Sequence, residues 1–173
     1  MKQKIFVIIF LATGLISCKS KKAIELRNVI VKQERVAFNI LVGKGGAEEE
    51  KLNCLIKKDF KGALVATDKI EQEFNNIIKT IEALPTEGVK QGDELKKAAV
   101  DYYTGLRDMK NREREEIRQQ EAGYDKDPEK ASIAANKLVE LNKEQLVMSG
   151  KVREKDEKLY HTLQQFEEAN NLR

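Results

Sequence analysis

The chain has no tryptophan, one histidine, two cysteines and two prolines among its 173 residues. Aromatic residues make up only 6% of the sequence, and β-sandwiches need aromatic and β-branched side chains to fill their sheets. An all-β fold is therefore nearly excluded. Di-iron sites in helical bundles take Glu-x-x-His from each of two helices. His161 is the single histidine, and the residue three positions before it is Lys158 instead of the required glutamate. This class of site is therefore excluded as well.

Charged residues are abundant, at 35% of the sequence, and the two signs are nearly balanced. The hydrophobic fraction of 40% is enough for one core in a chain of this length, so global disorder is not expected. No Ser-rich or Pro-rich linker divides the sequence. The composition therefore predicts one domain rich in solvated helices.

The first eighteen residues have the layout of a bacterial export signal. Two lysines precede an apolar run from Ile5 to Ile16, and Ser17 and Cys18 follow at once. A run of about twelve residues is too short to span a bilayer, which needs about twenty. The four residues from Leu15 to Cys18 resemble the lipobox of bacterial lipoproteins, in which the cysteine receives a diacylglyceryl group before cleavage. An ordinary secretory signal is the alternative.

This resemblance implies a signal peptide over residues 1–17, a lipidated Cys18 with a short tether over residues 18–22, and a helical domain over residues 23–173. Cleavage would leave 30 basic and 29 acidic residues, so no nucleic-acid partner is expected. Cys54 would remain as the only thiol, and we expect it to be a buried small hydrophobe. Lys19 directly after the cysteine resembles lipoproteins that are sent to the outer membrane of Gram-negative bacteria.

Apolar side chains recur every three or four residues through most of the remaining chain, which predicts helices. The first pattern runs from Leu26 to Leu41 and stops at the glycines within residues 43–46. The second runs from Leu52 to Leu84 and predicts one long, uninterrupted helix. The core positions expected on this helix are Phe60, Ile70, Phe74 and Ile77.

Capping residues predict the limits of two further helices. Asp93 is placed to cap a third helix, which carries Leu95 and Tyr102 on its apolar side and stops at Gly123. Asp127 and Pro128 form a start signal for a fourth helix that continues to the C-terminal region. Loops of roughly four to ten residues between the segments imply antiparallel neighbours. The predicted fold is all-α, an antiparallel up-down-up-down bundle of about four helices.

The sequence offers little catalytic or cofactor chemistry. A haem held between helices can use one histidine and one methionine, so His161 with Met109 or Met148 is the pair open to such a site. Both methionines lie on apolar stripes, however, and a histidine near a helix C-terminus is typical of the surface. The glycines of residues 43–46 lack the context of an RNA-binding loop. We therefore expect no cofactor, metal or catalytic residue.

The segment from Arg107 to Lys130 is the densest in charge, with fifteen charged residues in twenty-four. Both signs are interleaved, which is typical of a solvated helix with pairs three and four residues apart. The far half of the third helix is therefore expected to be solvated. The functional alternative is a distal tip that protrudes from the bundle and meets a protein partner of the cell envelope.

Three short motifs are similar to an uncharacterised family of helical surface lipoproteins from spirochaetes and Bacteroidota. They are residues 28–33 at the first helix, the stretch from Leu95 to Ala99 leading to Tyr103, and Gln165-Phe166 with Asn170 and Leu172. The resemblance implies a helical fold and an envelope location, and it brings no catalytic residues. The function expected is that of a lipid-anchored, non-enzymatic interaction protein. The alternatives are a small-ligand or haem-binding bundle and a periplasmic holdase.

Overall fold

The structure is a computed structural model that describes residues 21–172. Those residues form five α-helices and no strand: α1 (Lys21–Val42), α2 (Ala47–Ile56), α3 (Phe60–Glu82), α4 (Gly92–Ala122) and α5 (Pro128–Ala169). The all-α prediction is confirmed. The first helix begins at Lys21, two residues before the expected start of the helical domain at position 23.

Local signals explain several helix ends. Asp127 accepts a hydrogen bond from the backbone N–H of Glu129 and Pro128 fills the first helical position, as predicted. The start of α4 differs from its prediction, because Gln91 is the N-cap and Asp93 lies within the first turn, where it accepts a hydrogen bond from Thr86. Gly123 caps α4 with right-handed backbone angles rather than the left-handed ones expected of a terminal glycine.

The predicted second helix is the main correction to the fold. The chain turns sharply at residues 57–59, where Lys58 adopts a positive φ of 59°. Asp59 then accepts a hydrogen bond from the N–H of Gly62 at 2.8 Å and caps α3. The long apolar stripe therefore belongs to two helices, α2 and α3, that fold back on each other.

Cross-helix contacts fix the helix directions. Two contacts join α2 to α4, Glu48 with Lys110 and Lys51 with Glu113. Because the later residue of α2 contacts the later residue of α4, the two helices run parallel. Arg107 bonds Asn75 of α3, whereas Arg114, further along α4, bonds the earlier Asp68, so α3 and α4 are antiparallel. By the same reasoning α5 is antiparallel to α4, because Gly105 packs on Lys155 and Arg112 pairs with Glu144.

These directions give the bundle its topology. Arg27 of α1 pairs with Glu167 of α5, and Glu34 lies beside Asp156, so α1 runs antiparallel to α5 and in the direction of α2 and α4. Helices α1 and α2 therefore form one ascending arm that is interrupted at residues 43–46. With α3 descending, α4 ascending and α5 descending, the predicted up-down-up-down arrangement holds. The turn between the first two arms lies at residues 57–59 rather than at the glycines.

The main hydrophobic core lies in the half of the bundle that contains α1. Its largest fully buried side chains include the predicted Ile70, Phe74 and Ile77, together with Leu26, Leu95, Tyr103 and Phe166. Phe60, a predicted core position, is half-buried, and Leu52 and Ile56 of the same predicted apolar stripe are exposed. On α4 the fully buried tyrosine is Tyr103 and not Tyr102. Cys54 is half-buried rather than buried.

Candidate functional site

The two ends of the bundle differ in what they contain. At the end where α1 begins, Lys22 donates to the carbonyl of Glu87 at 3.3 Å, and the Asn170 side chain donates to the carbonyl of Lys90 at 2.8 Å. This proximal end therefore holds the start of α1, the loop before α4 and the end of α5. The opposite end holds the turn at residues 57–59 and the loop between α4 and α5. At 1.5 Å per residue, the 31 residues of α4 separate the two ends by about 46 Å.

We call the opposite end the distal tip and define it as residues 57–61 and 121–130. All ten residues from Glu121 to Lys130 are exposed. Their loop is nevertheless organised by its own side chains, since Asp125 accepts from the N–H of Asp127 at 2.9 Å and Asp127 accepts from Glu129 at 3.0 Å. The tip is thus an ordered surface rather than a loose connection.

An aromatic side chain stands at the centre of the distal tip. Tyr124 is 61% exposed, its ring lies 5.7 Å from that of Phe60, and the Nζ of Lys58 sits 4.2 Å from its centroid. Ile56, at 79% exposure, precedes the turn. An exposed aromatic ring held in place by a neighbour and a cation is typical of the residues that anchor protein interfaces.

A buried ionic network lies beneath the tip, between α2 and α4. Lys51 is only 3% exposed and binds Glu48 at 2.7 Å as well as Glu113. Lys110 binds the same two carboxylates, at 3.2 Å to Glu48 and 2.9 Å to Glu113. Burial opposes the charge of Lys110, but the attraction of Glu113 and Glu48 is stronger and raises its pKa above the ordinary value.

Further ion pairs join α4 to the helices on either side. Arg114 binds Asp68 and Glu71 of α3, and Arg112 binds Glu144 of α5. The expectation that the far half of this helix is solvated is therefore wrong for residues 109–117, which are half-buried or buried. Lys110, Arg112, Glu113 and Arg114 are paired across helices because neighbouring helices supply the opposite sign. Apart from Asp108 and Arg118, which are exposed, the exposed part of the segment is its outer end, from Glu121 onward.

Two glutamates of α4 show how the surroundings divide this segment. Burial and the nearby Glu113 raise the pKa of Glu116 above its ordinary value, and its Oε1 lies buried without a hydrogen-bond partner. Glu115, one residue earlier, accepts a hydrogen bond from the side chain of Gln119 at 2.8 Å, which lowers its pKa. One face of this turn is therefore interior and the other is solvent-facing.

The residues considered for a haem are not brought together. His161 is exposed on α5, edge-on to Tyr160. Met148 lies thirteen residues earlier on the same helix, about 20 Å away. Met109 lies on α4 between Gly105 and Arg112. These two residues contact Val152 and Glu144 of α5, so Met109 lies beside the part of α5 between them, more than two turns from His161. Within residues 21–172 no group of three or more His, Cys, Asp or Glu side chains could hold a metal ion.

The predicted lipidation residue, Cys18, and the signal peptide of residues 1–17 lie outside the described residues. No helix among those that are described is long and apolar enough to cross a membrane. No protein-family model, curated protein or solved structure matches the chain. The similarity to helical surface lipoproteins therefore stays a prediction from the sequence.

Proposed function

We propose that this protein is a lipid-anchored, non-enzymatic component of the cell envelope, and that its bundle holds the distal tip away from the membrane for contact with another envelope protein. One observation carries the proposal: the longest fully exposed run, Glu121 to Lys130, lies at the end opposite the start of α1. A chain anchored just before α1 would therefore present this run outward.

The anchor would act through lipid on Cys18. Each buried methylene contributes about 0.8 kcal/mol, so the two or three acyl chains of a processed lipoprotein hold it durably. Because α1 begins at Lys21, only residues 19 and 20 separate it from Cys18, a span of about 10 Å. The proximal end would sit close to the membrane, which we propose is the outer membrane of a Gram-negative bacterium.

The chemistry of the distal tip favours a protein partner over a polyanion. Residues 57–61 and 121–130 contain five basic and five acidic side chains, so the tip has no net charge. Nucleic acids and anionic membranes attract concentrated positive charge. A neutral surface with an exposed tyrosine among alternating charges suits a polar protein interface with one aromatic anchor.

The anchor is tested by metabolic labelling with a palmitate analogue in a Gram-negative host that expresses the full chain. We expect label on the wild type, recovered with membranes, and none on Cys18→Ala. A wild-type protein that stays unlabelled and is released into the medium would overturn the anchor.

The tip is tested by photo-crosslinking in intact cells of the natural host. A photoreactive amino acid replaces Tyr124 in one variant and Ser149, an exposed residue in the middle of α5, in a matched control. We expect a discrete adduct with one envelope protein from position 124 only. Equal adducts at both positions, or none at position 124, would contradict a working surface at the tip.

A further inference from the structure

A small cavity of about 110 Å³ lies between α1, α4 and α5 in the proximal half of the bundle. Three of its lining residues are tyrosines, Tyr102, Tyr103 and Tyr160, and two are the carboxylates Glu34 and Asp156. Aliphatic side chains of α1 and α5 complete the wall. The cavity opens to solvent on one side, where Glu34, Asp156 and Tyr160 are exposed. It therefore combines aromatic rings and negative charge in one place, well away from the distal tip.

The two carboxylates give the cavity a negative potential. Neither Glu34 nor Asp156 forms an ion pair with any residue of the described chain. The two charges also act on a neighbouring phenol group. Burial is the largest cause that raises the pKa of Tyr102 to about 12, and the negative charges of Asp156 and Glu34 raise it further. Both carboxylates are exposed to solvent, and Asp156 accepts a hydrogen bond from the Tyr102 side chain. A cation at the mouth of the cavity would therefore lie between two carboxylates that no lysine or arginine of the described chain neutralises.

The aromatic rings are placed to form walls rather than a stack. The rings of Tyr102 and Tyr103 have centroids 5.0 Å apart and are inclined at 56°. Tyr103 is fully buried, whereas Tyr160 is largely exposed and stands at the cavity's solvent side. Tyrosine faces carry partial negative charge and attract ammonium groups, most strongly where water is excluded.

We propose that this cavity binds a small organic cation that carries an alkylated or quaternary ammonium group. The volume equals about four waters at roughly 30 Å³ each, which suits a compact ammonium headgroup and is below the 300 Å³ or more of sites for drug-sized ligands. The proposal does not depend on the role of the distal tip, because the two sites share no residue and their tests use different readouts.

Tyrosine fluorescence gives a direct measurement, because the chain has no tryptophan and three of its four tyrosines line the cavity. The full-length protein in detergent is titrated with tetramethylammonium and with choline, in a Tyr124→Phe background that removes the fourth tyrosine. Dimethylbutanol, the uncharged carbon isostere of choline, is the matched control. We expect a saturable change with both cations, and affinity for the isostere at least about tenfold weaker.

Three variants separate binding from general folding effects. Glu34→Gln and Asp156→Asn should each weaken tetramethylammonium binding by about tenfold, because each removes one of the two charges. Glu140→Gln changes an exposed carboxylate of α5 outside the cavity and should leave affinity unchanged. Circular dichroism melts verify that all three are folded. A response that does not saturate, that is equal for dimethylbutanol, or that survives both cavity variants would overturn the proposal.

Discussion

Lys51 of α2 and Glu113 of α4 form an ion pair in which the lysine is almost completely buried, although 62 residues separate the two in sequence. Glu48 and Lys110 complete a square of alternating charges around the pair. The distal half of the bundle lies outside the main hydrophobic core, and its buried apolar residues are mostly small, such as Ala63, Ala66 and Ala134. Ionic contacts therefore connect α2 to α4 where apolar packing is thin.

Replacing Lys51 with methionine should destabilise the protein by about 2 to 3 kcal/mol. Removing one partner of a buried pair usually costs about 3 to 5 kcal/mol, and Lys110 still neutralises part of the charge here. Urea unfolding measures the loss. A double-mutant cycle with Glu113→Gln should give a coupling energy of about 1 to 3 kcal/mol.

Lys69→Met is the matched control for the buried lysine. Lys69 forms an exposed ion pair with Glu50 at 3.2 Å, and exposed pairs contribute less than about 1 kcal/mol. If Lys51→Met and Lys69→Met lost equal stability, the network beneath the tip would not be a structural contact.

Glu116→Gln should stabilise the protein at neutral pH. The pKa of Glu116 is raised in the folded state by burial, so its ionised form is less favourable folded than unfolded. This cost is full above the folded-state pKa, falls as pH drops through it, and vanishes below the unfolded value of about 4.3.

Thermal melts of wild type and Glu116→Gln across this pH range provide the check. The midpoint of the variant should exceed that of the wild type at pH 7, and the difference should shrink to near zero by about pH 4. A variant that is less stable than wild type at pH 7 would contradict the direction of the shift.

Phe74→Ala should cost about 3 to 5 kcal/mol, a large part of the stability of a typical domain. The side chain is fully buried in the main core between the aliphatic residues of α3 and its neighbours. Glu115→Ala, on the solvent-facing side of α4, should change stability by less than about 0.5 kcal/mol. Chemical denaturation of both variants is the measurement, and similar losses would show that the main core lies elsewhere.

Gln91→Gly should raise stability by about 0.5 to 1 kcal/mol. Gln91 caps α4 with a left-handed backbone, φ 55°, and makes no side-chain capping bond. Glycine adopts this conformation without the steric cost that a β-carbon brings. Lys97→Gly, at an exposed position inside the same helix, should instead lower stability by about 1 kcal/mol. A loss of stability in both variants would refute the backbone argument.

Much of the helical architecture could be predicted because its causes are local. The spacing of Ile70, Phe74 and Ile77 predicts that one face of this helix is buried, and this prediction does not require the position of the partner helix. Asp127 and Pro128 begin α5 by contacts within one turn. The start at Gln91 was not predicted, because Asp93 offers an equally good cap in sequence and its side chain bonds Thr86 instead.

The break at Lys58 left only one local signal, the capping residue Asp59, and the apolar pattern masks it. Apolar spacing continues through residues 52–84 as if one helix filled them, and lysine rarely adopts a positive φ. The turn is stabilised by the cap at Asp59 and by the packing of α2 on α3, where Cys54 lies close to Gly62. Only the pairing of the two helices makes the strained conformation favourable.

Sequence by itself determined the all-α fold and most helix faces, because helical periodicity and end caps depend on neighbours within a turn. Tertiary structure decided which charges are buried and which form a surface. Lys51 and Glu113 look like solvated residues in sequence, yet their side chains are largely buried in the structure. Glu34 and Asp156 stay exposed, and only the packing of α1 on α5 places them at one cavity. Their roles depend on partners tens of residues away, because an ion pair or a cavity exists only once the helices carrying its members are packed together.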